Sequence, residues 1–137
     1  MYPPELVKPM REDLTKVGFT ELFNAEDVNS ALSKEGTTLI VVNSVCGCAA
    51  GMARPGIAMA LTNAEQKPDN LYTVFAGNDA EATAAARVYF HGYPPTSPCI
   101  GLLKNGKLAA IIQRYDIEGY TAQEVADKLT AEFDKHC

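Results

Sequence analysis

The sequence predicts one α/β domain, a mixed sheet of four or five strands flanked by helices, and three observations point there. Thr37-Thr38-Leu39-Ile40-Val41-Val42-Asn43 is β-branched and continuously apolar in its middle, the pattern of a strand buried on both faces. Helical and strand signals then alternate as one βαβ crossover followed by a terminal hairpin, an order that places helices on both sides of a mixed sheet. The 137 residues show no repeat, low-complexity tract or linker, so they fit a single domain with one real core.

Each element has its own signal. Leu6, Val7, Met10, Leu14 and Val17 recur at helical spacing, with Gly18 as the stop. Pro9 inside that run predicts a kink or a later start. Asn24 before Ala25-Glu26-Asp27-Val28 caps a short helix to about Lys34. After the 37–43 strand, Ala49 to Asn63 reads as helix with a kink at Pro55. Leu71 to Ala76 is the next strand. Asn78 with Glu81 signals another helix, carrying Ala82, Ala85, Ala86, Tyr89 and Phe90 on one face. Beyond the proline-rich loop 91–98, two strands flank Lys104-Asn105-Gly106, where Asn-Gly is the strongest short hairpin signal. Thr121 with Glu124 forms a capping box for a last helix that turns Ala122, Val125, Ala126, Leu129 and Phe133 inward.

Composition narrows the function. Hydrophobic residues are 47% and charged residues 21%, ordinary for a soluble domain. Twelve Lys and Arg against 17 Asp and Glu give a formal charge of -5, which argues against a nucleic-acid partner, whose phosphates are bound by basic side chains. No apolar run approaches the ~20 residues of a membrane span, so no membrane partner is expected. The opening Met1-Tyr2-Pro3-Pro4-Glu5 lacks the basic and apolar pattern of a secretion signal, and a cytoplasmic location is expected. In a reducing compartment the four cysteines, Cys46, Cys48, Cys99 and Cys137, are not a stabilising disulfide framework. A close pair there does redox chemistry or binds metal.

Cys46 falls just after the buried strand and just before a helix, where free backbone N–H groups and the positive end of the helix dipole stabilise a thiolate. Cysteines so placed have pKa values lowered to roughly 3.5–7.5. Thiolate is the species that attacks a disulfide sulfur, so Cys46 is the candidate nucleophile and Cys48 the candidate resolving thiol. Two residues apart within a helix, side chains point about 200° from one another. The pair therefore closes only if Cys46 lies outside the helix and Gly47 takes an unusual backbone conformation. Such a small ring is expected to be strained and easily reduced, suiting isomerisation or a thiol adduct on Cys46 better than strong reduction. The rival is a metal module. Zinc needs about four ligands, and Cys99, His91, His136 and Cys137 offer no second close pair, so no metal is expected.

The run Asn43-Ser44-Val45-Cys46-Gly47-Cys48-Ala49-Ala50-Gly51, with Ala53-Arg54-Pro55 after it, closely resembles the signature of bacilliredoxins, thioredoxin-like proteins of bacteria that make bacillithiol. The likeness extends through Pro9-Met10-Arg11, Pro68-Asp69-Asn70, Val74-Phe75-Ala76-Gly77, Glu118-Gly119 and His136-Cys137. It implies a thioredoxin-like fold with no bound cofactor and with bacillithiol as thiol co-substrate. It also implies removal of bacillithiol from S-bacillithiolated proteins by Cys46, with clearance by Cys48 or a second bacillithiol. Disulfide isomerase activity on disulfide-containing proteins is associated with the same family. Pro98 matches the cis-proline that faces the cysteines in thioredoxins, and Ser97 before it would offer backbone groups to an incoming chain. Two departures stand out: no Trp precedes the motif, and Ile40 falls where thioredoxins carry a buried Asp.

Asn43, Ser44, Arg54 and Cys99 are the further residues expected to bind substrate. Arg54 could hold the carboxylates of a thiol adduct, or else cover apolar neighbours; Arg114 is a weaker candidate for the same task. Cys99, next to Pro98, is expected near the active pair, as an accessory thiol or a small core residue. Cys137 is expected to be an exposed terminal thiol, and His91 and His136 surface residues. Met52 and Met59 read as core. A monomer and a homodimer are both compatible with this sequence.

Overall fold

The computed structural model describes residues 1–137. Along the chain run α1 (Pro4–Thr15), β1 (Thr20–Glu21), α2 (Ala25–Leu32), β2 (Thr37–Asn43), α3 (Arg54–Asn63, entered through a wide helical turn at Ala49–Ala53), β3 (Asn70–Phe75), α4 (Ala80–Val88), β4 (Cys99–Lys104), β5 (Lys107–Ile112) and α5 (Ala122–His136). The strands form one five-stranded sheet in the order β1-β3-β2-β4-β5. β2 is central and buried along its whole length. It pairs in parallel with β3, through the crossover that contains α3, and antiparallel with β4.

Alternating side chains of β2 serve two cores, as the two-residue period of a strand requires. Leu39 and Val41 join Ile57, Ile100, Leu129 and Phe133 under α3 and α5. Ile40 and Val42 join Val28, Ala86, Phe90 and Leu103 under α2 and α4. Gly56 lets α3 and α5 approach closely, since a Cβ there would lie 2.9 Å from the Ala122 carbonyl oxygen and from Val125. Asn105 and Gly106 both take positive φ at the β4–β5 turn, as an Asn-Gly hairpin demands.

Four local readings change. The fifth strand is β1, only two residues long and so without a periodic signal. Pro9 lies inside α1, which starts at Pro4; the bond it forfeits is at Glu5, an exposed residue whose carbonyl water can serve. α4 has no side-chain cap of its own. Asn78 instead exchanges hydrogen bonds with the backbone of Tyr2, and the Glu81 carboxylate accepts from the Ala25 N–H at the start of α2. At Pro55 the irregularity is a widening: the Arg54 N–H reaches the Ala49 carbonyl before Pro55 opens the regular helix.

Candidate active site

Cys46 lies where β2 ends and the helical chain begins. Its carbonyl accepts from the Ala49 and Ala50 N–H groups, both at 3.1 Å, while Gly47 and Cys48 already sit in the first turn. That makes Cys46 a capping residue, with a sulfur where serine would present an oxygen. The Ala49 N–H, bonded to the Cys46 carbonyl, also lies near enough to the Cys46 sulfur to favour its ionised form. Outside the helix, the Cys46 side chain can fold over the first turn, and its Sγ lies 2.7 Å from that of Cys48. Gly47 contributes differently from expectation. Its φ is not positive, and a Cβ there would meet nothing within 4 Å. Its missing side chain leaves open space on the turn that joins the two cysteines.

The two thiols are driven apart in acidity. Burial raises the pKa of Cys46, but it is outweighed by hydrogen bonds from the Cys48 thiol, the Ser44 hydroxyl (3.2 Å) and the Ala49 N–H, together with the Arg114 charge. The net direction is downward. Cys48, only 6% exposed, is pushed up to about 11 by burial, by its hydrogen bond to Cys46 and by the charge of that neighbour. Arg114 pulls it down, and Glu118 pushes it up. The half-buried Cys46 sulfur is thus the more readily ionised of the two, and the buried Cys48 thiol the less.

The loop under the sulfurs is braced from within. Arg54 is 4% exposed, and its guanidinium donates to the Asn43 side-chain oxygen (3.0 Å), the Ser44 carbonyl (2.7 Å) and Asp13 (3.1 Å). Asn43 also accepts from the Ser44 N–H and donates to the Met10 carbonyl. The expectation that Arg54 and Asn43 meet substrate is corrected, because both are buried and the hydrogen bonds they make hold the loop. Ser44, buried as well, acts on the Cys46 sulfur.

Opposite the loop, the Ser97–Pro98 bond is cis. Ser97 lines a cleft of about 210 Å³ with Tyr2, Ser44, Val45, Cys46, Ala76, Gly77 and Arg114. Arg114 reaches this cleft from the end of β5 and is held by Glu118, with Nε 2.8 Å from the carboxylate. Arg114, Glu118 and Tyr2 are the neighbours that sequence reasoning missed or ranked low. The four-residue spacing of Arg114 and Glu118 marks a helical pair. Only the pairing of β2 with β4 and of β4 with β5 carries that pair to the cysteines.

Two further expectations are corrected. Cys99 is 1% exposed and belongs to the core under α2 and α4, on the sheet face away from Cys46 and Cys48. One step along a strand from Pro98 reverses the side-chain direction. Burial pushes its thiol up to about 11. Ile40 also faces that second core, so the β2 side chains on the Cys48 side are Leu39 and Val41. They are apolar too, and no carboxylate lies beneath Cys48 on this strand. Cys137 is exposed and lies by Thr37 and Asp69, at the end of β2 remote from Cys46. Nowhere do three or more His, Cys, Asp or Glu side chains assemble in a metal-holding group.

Comparison with known proteins agrees with this geometry. A family model described as "Disulphide isomerase" matches residues 2–137. A bacilliredoxin of Koribacter versatilis is 53% identical over 138 aligned residues, covering 100% of this chain and 94% of its own. One from Geobacillus kaustophilus is 50% identical over 137, covering 99% and 94%. Among solved structures, mitochondrial thioredoxin 3 of Saccharomyces cerevisiae superposes with a TM-score of 0.58 at 16% identity, over 90% of this chain and 98% of that one. Thioredoxin from Trypanosoma brucei brucei gives 0.57 at 17%, over 86% and 89%. The fold is that of thioredoxin.

Proposed function

The chain belongs to the bacilliredoxin family of thiol–disulfide oxidoreductases, and from that premise we propose that Cys46 removes a small thiol, bacillithiol first among them, from protein mixed disulfides. The Cys46 thiolate attacks the small thiol's sulfur. A new S–S bond forms on Cys46, the protein's sulfur leaves as thiolate, and that thiolate takes a proton from water. Cys48 then loses its proton and attacks Cys46, closing the Cys46–Cys48 disulfide and releasing the small thiol. A second bacillithiol performs the same release where Cys48 is slow, leaving a bacillithiol disulfide and a reduced Cys46.

The observation that carries this reading is the contrast in acidity across 2.7 Å, with Cys46 lowered and Cys48 raised to about 11. It supports Cys46 as the attacking thiol and Cys48 as the resolving one. A cytoplasmic setting belongs to the proposal, because recycling draws on a reducing thiol pool; no helix is long and apolar enough to cross a membrane. The test is a bacillithiolated protein mixed with reduced wild type or Cys46→Ala and followed by intact mass. Wild type restores the free thiol. Restoration at equal rate by Cys46→Ala would overturn the assignment.

Disulfide isomerisation is the second reading, favoured by the description of the family model and by the weak acidity of Cys48. A slow resolving thiol leaves Cys46 joined to its client long enough for the client's own thiols to attack. Metal binding by the same pair is the reading of a different class. It has two sulfurs and no third ligand group to support it.

A further inference from the structure

The lining of the cleft beside Cys46 holds one charged side chain, Arg114. In a chain of formal charge -5, that puts a cation beside the nucleophile, paired with the Glu118 carboxylate. The Arg114 side chain is 46% exposed. Its Nε is engaged by Glu118 and one Nη reaches only weakly, at 3.4 Å, towards the Ser97 carbonyl. A guanidinium carries five N–H donors, so donors remain for a third partner. The cleft, at about 210 Å³, gives a small thiol room to lie between Cys46 and the arginine. A neighbouring hollow of about 290 Å³, formed by Thr96, Arg114, Tyr115 and Glu118, shares the same arginine.

We propose that Arg114 is the residue that selects thiol adducts by charge, taking a carboxylate of the small thiol while its sulfur is transferred to Cys46, with Glu118 as the internal carboxylate that competes for the same guanidinium. This rests on Cys46 being the exchanging thiol and adds the class of adduct it prefers: small anionic thiols over neutral or cationic ones. The bonds made and broken are those of the exchange already described. Arg114 contributes charge-assisted hydrogen bonds that hold the transferred group over the sulfur. The alternative holder, Arg54, is 4% exposed and already donates to three partners.

The experiment uses one test protein with a single cysteine carrying 3-mercaptopropionate, 2-mercaptoethanol or cysteamine in disulfide linkage. Removal by excess reduced protein is followed by intact mass in single turnover. Wild type should clear the anionic adduct about two- to fivefold faster than the neutral one, the range of an exposed ion pair, and the cationic adduct slowest. Arg114→Gln should remove the anionic advantage, and Arg114→Lys should keep part of it. Glu118→Gln should widen it, and 1 M salt should narrow it in wild type. Losing the Arg114 charge also makes Cys46 less nucleophilic towards every adduct, so the anionic-to-neutral ratio is the readout. An unchanged ratio in Arg114→Gln overturns the proposal. No clearance of even the neutral adduct by wild type overturns instead the exchange reading beneath it.

Discussion

The Ser44 hydroxyl donates to the Cys46 sulfur across 3.2 Å, from the residue immediately after the central strand. The same residue gives its carbonyl to Arg54 and its N–H to Asn43, so its side chain is aimed at the sulfur by the brace beneath the loop.

Ser44→Ala should therefore slow alkylation of Cys46 near neutral pH. One hydrogen bond to the ionised sulfur is lost, and at ~1–1.5 kcal/mol the loss is about five- to tenfold in the reactive thiolate. The pH profile should move upward, because a donor to the charged form lowers a pKa and its removal raises it. Iodoacetamide kinetics between pH 5 and 10 measure this. An unchanged profile would mean that the hydroxyl is a bystander.

Cys48 should titrate at about 11 in the reduced protein. In Cys46→Ala it should fall, since the neighbouring charge and hydrogen bond that raise it are gone. It should stay above the ordinary thiol value because burial remains. Thiolate absorbance at 240 nm against pH distinguishes the two proteins. A Cys48 that titrates identically in both would show that the thiols do not influence one another.

Arg54→Met should cost about 2–4 kcal/mol of stability, read as a shift in the urea midpoint. It takes the Arg54 donor from the buried Ser44 carbonyl and leaves the Asn43 side-chain oxygen with only the Ser44 N–H. Had Arg54 been a hand for the adduct, the variant would keep its stability and lose only affinity for the thiol. That result would reopen the sequence-based role.

Gly47→Ala should leave stability unchanged or raise it by up to ~1 kcal/mol, since the added methyl meets nothing and glycine is the poorer helix former. Exchange with a protein disulfide should slow more than reaction with iodoacetamide, because a methyl on the open turn between the cysteines crowds a large partner more than a small one. Equal slowing with both reagents would locate the effect in the thiols themselves.

Much of the site could be read before any coordinates because it is local. The buried strand, the cysteine pair and the helix after it are contiguous from Thr37 to Asn63, and Ser97–Pro98 needed only the fold to be placed opposite. What escaped the sequence were the choices a side chain makes between equivalent partners. Glu81 had the spacing to cap its own helix and caps α2 instead. Of the two arginines, Arg54 was the stronger candidate from sequence and Arg114 the weaker. A hydrogen-bonding network within the loop claims the first, and strand pairing delivers the second to Cys46. Cys99 was assigned by nearness to Pro98, yet side-chain alternation along a strand outweighs nearness.

The most direct measurement incubates reduced Cys48→Ala with a bacillithiolated protein, quenches with acid and maps the disulfides by tandem mass spectrometry. One bacillithiol per chain, attached to Cys46 with Cys99 and Cys137 unmodified, is the predicted result. A chain that carries the adduct elsewhere, or takes none while the substrate stays intact, would contradict Cys46 as the attacking sulfur.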